Sequence, residues 1–393
     1  MRILFLSRWF PYPANNGSKL RIYNLLKGLG RLHQVTLISF YEPPETPASL
    51  ADLHACCQEV IPVRWKPFNP SSFRAMMGFF SIKPRVVVDT FVKEMQSVIE
   101  KTLTTKAYDL VIASQFDMAM YSRSFGSLPA IFEEAEVGVL YDQYARAPTP
   151  MARFRFGLTW LKHRRYLAKI LLNFKACTVV SDLERRLLKE LVKVEQPVEV
   201  LPNFIDVPSY DHVQETPREN TLIFTGSLRY PPNYEAMTWF VREVYPLIQA
   251  QVPEVNLTIT GDHADQPLPP ARNVVLTGLV EDVRTLMARS WVGLVPIHTG
   301  GGTRLKILEA MALRLPVVST PKGVEGLDAQ DGHHLLVADS PGSFAKAVLR
   351  LLRERDLRQN LIGNAYQLVR ERYDQSVVIP RFLHLVTKVA QGS

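Results

Sequence analysis

The stretch His298-Thr299-Gly300-Gly301-Gly302-Thr303-Arg304-Leu305-Lys306-Ile307-Leu308-Glu309 carries the densest chemistry in the chain. Three successive glycines leave backbone N–H groups uncovered by side chains, so a diphosphate can approach the main chain closely. An apolar helix pattern starts at Thr303, and a helix N-terminus adds N–H donors and the positive end of a dipole. Arg304 and Lys306 bring mobile positive charge to the same place. Glu309, about one and a half turns along, is a carboxylate able to accept two ribose hydroxyls. The plain alternative is a tight turn capped by Thr303 with a solvated Glu309. His298 either lines a pocket beside the turn or closes a loop.

These residues need a strand to deliver them and a helix to receive them, and the chain supplies that alternation throughout. In the first half, short apolar runs at 3–7, 35–39, 59–63, 110–114, 130–132, 178–180 and 198–201 predict strands. Helices are predicted at 18–32, 89–102 and 182–192. The second half repeats the pattern. Strands are predicted at 222–225, 256–260, 273–276, 292–295 and 316–319, and helices at 233–250, 281–288, 303–313 and 343–354. The expectation is an α/β protein of two Rossmann-like domains, their parallel sheets facing across a cleft. The first spans 1–206 and the second 221–375, with a polar linker at 207–220 carrying Pro208 and Pro217. A last helix at 376–393 packs back on the first domain and is kinked or restarted at Pro380. At 393 residues the chain is long enough for both cores.

The glycine-rich segment resembles the donor-binding segment of the family 4 retaining glycosyltransferases, also called glycosyltransferase group 1, which have the two-domain GT-B fold. Further matches are Gly17, Leu201-Pro202-Asn203, Thr225-Gly226-Ser227, Ile259-Thr260-Gly261, Thr277-Gly278-Leu279-Val280 and Leu315-Pro316-Val317-Val318-Ser319. The resemblance implies transfer of a sugar from a nucleoside diphosphate sugar, often a UDP-sugar, to a glycan or lipid-linked hydroxyl. It implies Gly226, Arg229, Gly261, Val280, His298, Gly300, Gly301, Gly302, Thr303, Leu305 and Glu309 around the donor, with Lys306 and Arg304 as catalytic cations. Two positions depart from the family. The first Glu of its Glu-x7-Glu motif is Gly301 here, and the lysine that follows the first strand of its second domain falls at Asn233. The cationic work then passes to Lys306 and Arg304, which stabilise charge growing on the leaving diphosphate. No Asp-x-Asp pair is present, so neither a metal nor another cofactor is expected. Asp262-His263-Ala264-Asp265 reads as a polar loop.

The first domain should supply the acceptor side. The loop 11–18 follows the first strand, where ligands of open α/β sheets bind. It offers Asn16 and Gly17 to the cleft, or is a plain turn with Ser18 as helix cap. Arg21, one turn on, is placed to meet a phosphate or an acidic acceptor. Glu133-Glu134-Ala135-Glu136 follows a strand; Glu134 is taken as a catalytic residue beside Lys306 and Arg304 and Glu136 as an acceptor contact, the alternative being a solvated loop. Ser181 reads as a helix cap.

A net charge of +8 asks for an anionic partner. The region 151–175 concentrates Arg153, Arg155, Lys162, Arg164, Arg165, Lys169 and Lys175 among aromatic and aliphatic residues. It is read either as a helix packed on the first domain or as one that also lies on a membrane surface. The three cysteines, Cys56, Cys57 and Cys177, make a poor disulfide framework. With no signal-like or membrane-spanning run, the expected location is cytoplasmic, with peripheral contact on the cytoplasmic face of the membrane open. A nicotinamide dehydrogenase would need Gly-x-Gly-x-x-Gly in the first βα turn, which 8–17 lacks. A non-hydrolysing sugar-nucleotide epimerase shares the architecture and remains the nearest enzyme alternative. A nucleic-acid binder rests on charge alone, and no nucleic-acid module appears.

Overall fold

The computed structural model describes residues 1–42, 50–263, 265–301 and 304–392. Gly302 and Thr303 of the glycine turn lie outside the described residues. The chain divides into two compact units, Met1–Pro202 with Ile379–Ser393, and Asn203–Val378. The last helix, Gln375–Ala390, begins in the second unit, ends in the first and runs on through Pro380 without the expected restart.

The first unit holds seven strands: β1 (Arg2–Ser7), β2 (Gln34–Tyr41), β3 (Glu59–Arg64), β4 (Leu110–Ser114), β5 (Ala130–Glu133), β6 (Ala176–Val179) and β7 (Val198–Val200). Their order is β3-β2-β1-β4-β5-β6-β7 and every pairing is parallel. Such sheets are covered on both faces, which is why the strands read as unbroken apolar runs. Leu4, Phe5, Leu6, Val111 and Ile112 are fully buried. The chain winds outward from β1 to β3 and returns on the other side at β4. The carboxyl ends of β1 and β4 therefore flank the point where loops diverge and a crevice opens.

The second unit repeats this winding with β8 (Thr221–Thr225), β9 (Asn256–Thr260), β10 (Val274–Gly278), β11 (Val292–Val295), β12 (Val317–Ser319) and β13 (Leu336–Val337). The order is β10-β9-β8-β11-β12-β13, again wholly parallel. Its crevice lies at the ends of β8 and β11. Both units are the α/β units expected from the alternation.

Several elements differ from expectation for identifiable reasons. The helix predicted over 89–102 is two, Arg85–Thr90 and Lys93–Thr105. Phe91 and Val92 between them are extended, and the Val92 N–H donates to the Tyr121 hydroxyl. The helix predicted over 233–250 passes through a π segment, Phe240–Val244, before Tyr245–Gln249. Pro246 has no N–H to give, and the ladder slips just ahead of it. The helix Arg355–Arg372, the short hairpin of Phe73–Met77 and Arg85–Thr90, and β13 were not foreseen. All three cysteines are free. Among the described residues no helix is long and apolar enough to cross a membrane.

Candidate functional site

In the second unit two glycines bring strand ends into contact. Gly226 (φ +140°) closes β8 and donates its N–H to Thr260 O at 2.9 Å, while Gly261 (φ +121°) closes β9 and donates to Gly278 O. A Cβ on Gly261 would fall 2.6 Å from the Gly226 carbonyl carbon. Only glycine fits there, for conformation and for space.

The helix Leu305–Ala312 starts two residues later than expected, with Arg304 in the cap position and without a side-chain cap bond. From its first turn Lys306 reaches back to β8. Its Nζ lies 4.1 Å from the Phe224 ring centroid and donates to Asn233 Oδ1 at 3.3 Å. Asn233 in turn donates to Ser227 O at 2.8 Å. A Cβ on Gly226 would come within 3.0 Å of the Lys306 Nζ and 2.7 Å of Asn233 Nδ2. Lys306 and Asn233 thus converge on the backbone that follows β8, the place where the family's lysine is missing. Burial lowers the Lys306 pKa to about 7, with Arg304 adding to the effect and Glu309 opposing it.

One turn along the same helix, Glu309 accepts from the Tyr210 hydroxyl at 3.2 Å. Its pKa is raised, chiefly by burial, against the pull of Tyr210, Lys306 and Arg284. Arg284 lies 5.7 Å from the Tyr210 ring centroid and forms a bidentate pair with Asp282. Neither Tyr210 nor Arg284 was singled out from the sequence. Tyr210 sits in the segment read as linker, where no periodicity marks it.

Gly300 (φ +89°) holds the glycine turn against the start of the helix Pro231–Trp239, since a Cβ there would meet the Tyr230 hydroxyl at 2.8 Å. Arg304 donates to Gly301 O at 2.5 Å and to Thr299 O at 3.3 Å, so it braces the turn from within. His298 packs edge-on to Trp239, with ring centroids 4.6 Å apart, and its Nδ1 lies 3.8 Å from Asp339. Leu305 and Val280 are partly buried. Arg229 is paired with Asp262, and His263 Nε2 accepts the Gly278 N–H at 2.7 Å. The polar loop after β9 is thus engaged in holding neighbouring strand ends. No group of three His, Cys, Asp or Glu suited to a metal occurs among the described residues.

The first unit gathers a different set at the ends of β1, β4 and β5. Asn16, not Ser18, caps the helix Gly17–Gly30 by accepting the Lys19 N–H at 3.0 Å, and Gly17 is its first residue. The Arg8 guanidinium lies between the Trp9 and Trp65 rings, 4.4 and 3.8 Å from their centroids, and bonds Glu42 at 2.6 Å. A cavity of about 200 Å³ opens beside Arg8, Asn16 and Lys19.

Arg21 does not occupy the place expected of it. It is fully buried, donating to Glu133 at 2.7 Å and to the carbonyls of Pro202 and Leu201 at 2.9 and 3.0 Å. Glu133 also accepts from the Ser114 hydroxyl at 2.6 Å. The pair ties the first helix to β4, β5 and the segment after β7.

Glu134 is the member of the acidic run turned toward the strand ends. Its backbone is left-handed (φ +59°), as is that of Gln115 (φ +67°) at the end of β4, and Gln115 donates to its carboxylate at 2.8 Å. Backbone strain of this kind clusters at ligand and active sites, and here two such residues meet at adjacent strand ends. Burial, reinforced by Glu133 and Glu136 and opposed by Arg21 and Gln115, raises the Glu134 pKa to about 7. Glu136 is exposed. Ser181 caps its helix by accepting the Glu184 N–H at 3.2 Å.

Residues 219–354 match the family described as glycosyl transferases group 1. A Klebsiella pneumoniae protein described as an uncharacterized 44.6 kDa protein in the cps region is 24% identical over 395 residues, covering 96% of this chain and 97% of that one. Among solved structures, sucrose-phosphate synthase from Thermosynechococcus elongatus matches with a TM-score of 0.73 at 14% identity, over 100% of both chains. HepE of Anabaena, in complex with UDP and glucose, matches at 0.65 and 15% identity, over 99% of this chain and 100% of that one. WaaG, a glycosyltransferase involved in lipopolysaccharide biosynthesis, matches at 0.61 and 14% over 100% of both.

Proposed function

We propose that the chain, which has the GT-B fold and whose residues 219–354 match the group 1 glycosyltransferases, is a glycosyltransferase of that group that moves a sugar from a nucleoside diphosphate sugar to a hydroxyl acceptor with retention at the anomeric carbon. The acceptor is a cell-surface glycan or a lipid-linked one, a reading favoured by the relative in a cps region.

The observation that carries this reading is the convergence of Lys306 on the backbone after β8, where Gly226 and Gly261 keep side chains away. As the sugar–phosphate bond breaks, negative charge grows on the diphosphate. N–H groups of the glycine turn, Lys306 and Arg304 would meet that charge as it grows. With those groups supplying the stabilisation, the reaction needs no divalent metal. Glu134, close to half-protonated at neutral pH, suits contact with a sugar or acceptor hydroxyl. UDP is the first nucleotide to test, because HepE was solved with UDP and with UDP-glucose.

Purified protein incubated with a panel of sugar nucleotides should slowly release free sugar and nucleoside diphosphate from one donor, read by mass spectrometry. EDTA should leave that rate intact. Loss of activity in EDTA with recovery in manganese would remove the metal-free mechanism. A changed sugar nucleotide formed without acceptor would identify an epimerase instead.

Glu309→Ala should weaken UDP binding by about 1–3 kcal/mol if the carboxylate holds the two ribose hydroxyls. Glu309→Gln, which keeps an acceptor for Tyr210, should lose less. Calorimetry that finds UDP affinity unchanged in the alanine variant would take Glu309 out of the nucleotide site.

A further inference from the structure

The first unit carries a built apolar prong that no part of the transfer reading uses. Helix Phe73–Met77 and helix Arg85–Thr90 form a short hairpin whose tip is Phe79-Phe80-Ser81-Ile82-Lys83. Its base is fixed from several sides. Buried Asp89 accepts from Ser72, Lys66 and the Asn69 N–H at 2.5, 2.9 and 2.8 Å. Arg85 donates to Ala75 O and Pro70 O and lies 3.8 Å from the Phe79 ring centroid. Gly78 lets the two arms close, since a Cβ there would sit 3.0 Å from the Arg85 Cα. Lys162, from the long helix Pro150–Leu171, donates to the carbonyls of Gly78 and Phe79 at 3.2 and 2.8 Å. So many bonds at the base leave the tip with little freedom to fold back.

Beyond the ring of Phe79, which lies against Arg85, the tip is open among the described residues. Phe80 is 88% and Ile82 87% exposed, and Phe73, Met76, Met77 and Phe79 are exposed beside them. An exposed patch of this kind on a rigid support marks a contact surface. Its electrical setting narrows the partner. No Asp or Glu occurs between Glu59 and Asp89, or between Asp142 and Asp182, while the second interval carries eight Lys and Arg. The Lys162 latch makes the two intervals neighbours. The helix itself is split: Trp160, His163, Leu167 and Ile170 are buried, whereas Met151, Phe154 and Leu158 near its start are exposed. Exposed aromatic and aliphatic side chains on two neighbouring segments rich in cations and without Asp or Glu in their sequence suit the interface of an anionic bilayer, where apolar groups enter the acyl boundary and cations remain at the headgroups.

We propose that the 72–85 hairpin is the membrane-inserting element of this protein, with Phe80 and Ile82 entering an anionic lipid surface and the start of the Pro150–Leu171 helix lying beside it. The inference rests on the transfer reading only for its purpose, which is to bring the enzyme to a lipid-linked acceptor.

The full-length protein should pellet with vesicles of phosphatidylcholine mixed with phosphatidylglycerol at low salt, and much less with phosphatidylcholine alone. Phe80→Ser combined with Ile82→Ser should lower that partitioning on the order of tenfold or more, leaving donor hydrolysis in solution unchanged. In a separate Phe80→Trp variant, the added emission should be quenched by lipids brominated on the acyl chain. Three results would overturn the proposal: a double variant that pellets like the parent, an unquenched Trp at position 80, or a parent that never pellets. Loss of pelleting in Arg164→Gln with Arg165→Gln, but not in the hairpin variant, would assign the contact to the helix instead. Because donor hydrolysis is read without vesicles, each of these outcomes leaves the transfer reading standing.

Discussion

Lys306→Ala should lower the turnover of donor hydrolysis by about 10²–10³-fold, with a much smaller loss in UDP affinity. Removing one preorganised donor from a site of developing negative charge has effects of that size. The charge on the diphosphate is larger in the transition state than in the bound donor, so a group aimed at it acts more on rate than on ground-state binding. Equal losses in turnover and affinity would make Lys306 a uniform binding residue. The protonation state gives a second reading of the same side chain. With its pKa lowered to about 7, Lys306 is mostly neutral in the free protein at pH 8. An arriving diphosphate favours the charged form and raises that pKa, so UDP binding at pH 8 should take up a proton. Calorimetry in buffers of different ionisation enthalpy measures that uptake, which should vanish in Lys306→Ala. UDP affinity should accordingly fall as pH rises above 7 in the parent and stay flatter in the variant.

What the sequence made legible was whatever depends on local pattern. Gly226 and Gly261 close two strands, Gly300, Lys306 and Glu309 sit on the turn and helix that follow a third, and the structure brings Gly226, Gly261 and Lys306 together. The alternation that predicts strands and helices reflects burial on both faces of a parallel sheet, which is itself local. Partners far away in the chain were not legible. Arg21 has a cation's chemistry whether it faces a ligand or a buried carboxylate, and Glu133 lies 112 residues on. Of the acidic run 133–136, the strand register buries Glu133, and a left-handed turn directs Glu134 elsewhere. Neither fact follows from three carboxylates in four positions. Tyr210 reaches Glu309 from a segment with no periodic signal, across 99 residues. The hairpin tip escaped notice because an apolar run reads as core until its exposure is known.

Arg21→Met should destabilise the first unit by roughly 3–5 kcal/mol, the cost of leaving a buried charge without its partner. Glu133 would keep only the Ser114 hydroxyl, and the carbonyls of Leu201 and Pro202 would each lose a donor. For a unit of this size the melting temperature should drop by on the order of 10 °C. The double variant Arg21→Met with Glu133→Leu removes both charges and replaces them with apolar groups of similar bulk. It should recover more than half of the loss, since buried pairs exchanged together for apolar residues are often close to neutral. UDP binding should be unaffected in either variant that remains folded, because the guanidinium is turned into the core. Chemical denaturation of the three proteins decides the matter. A single variant within about 1 kcal/mol of the parent but defective in transfer would return Arg21 to the acceptor site, where its position one turn into the first helix had placed it.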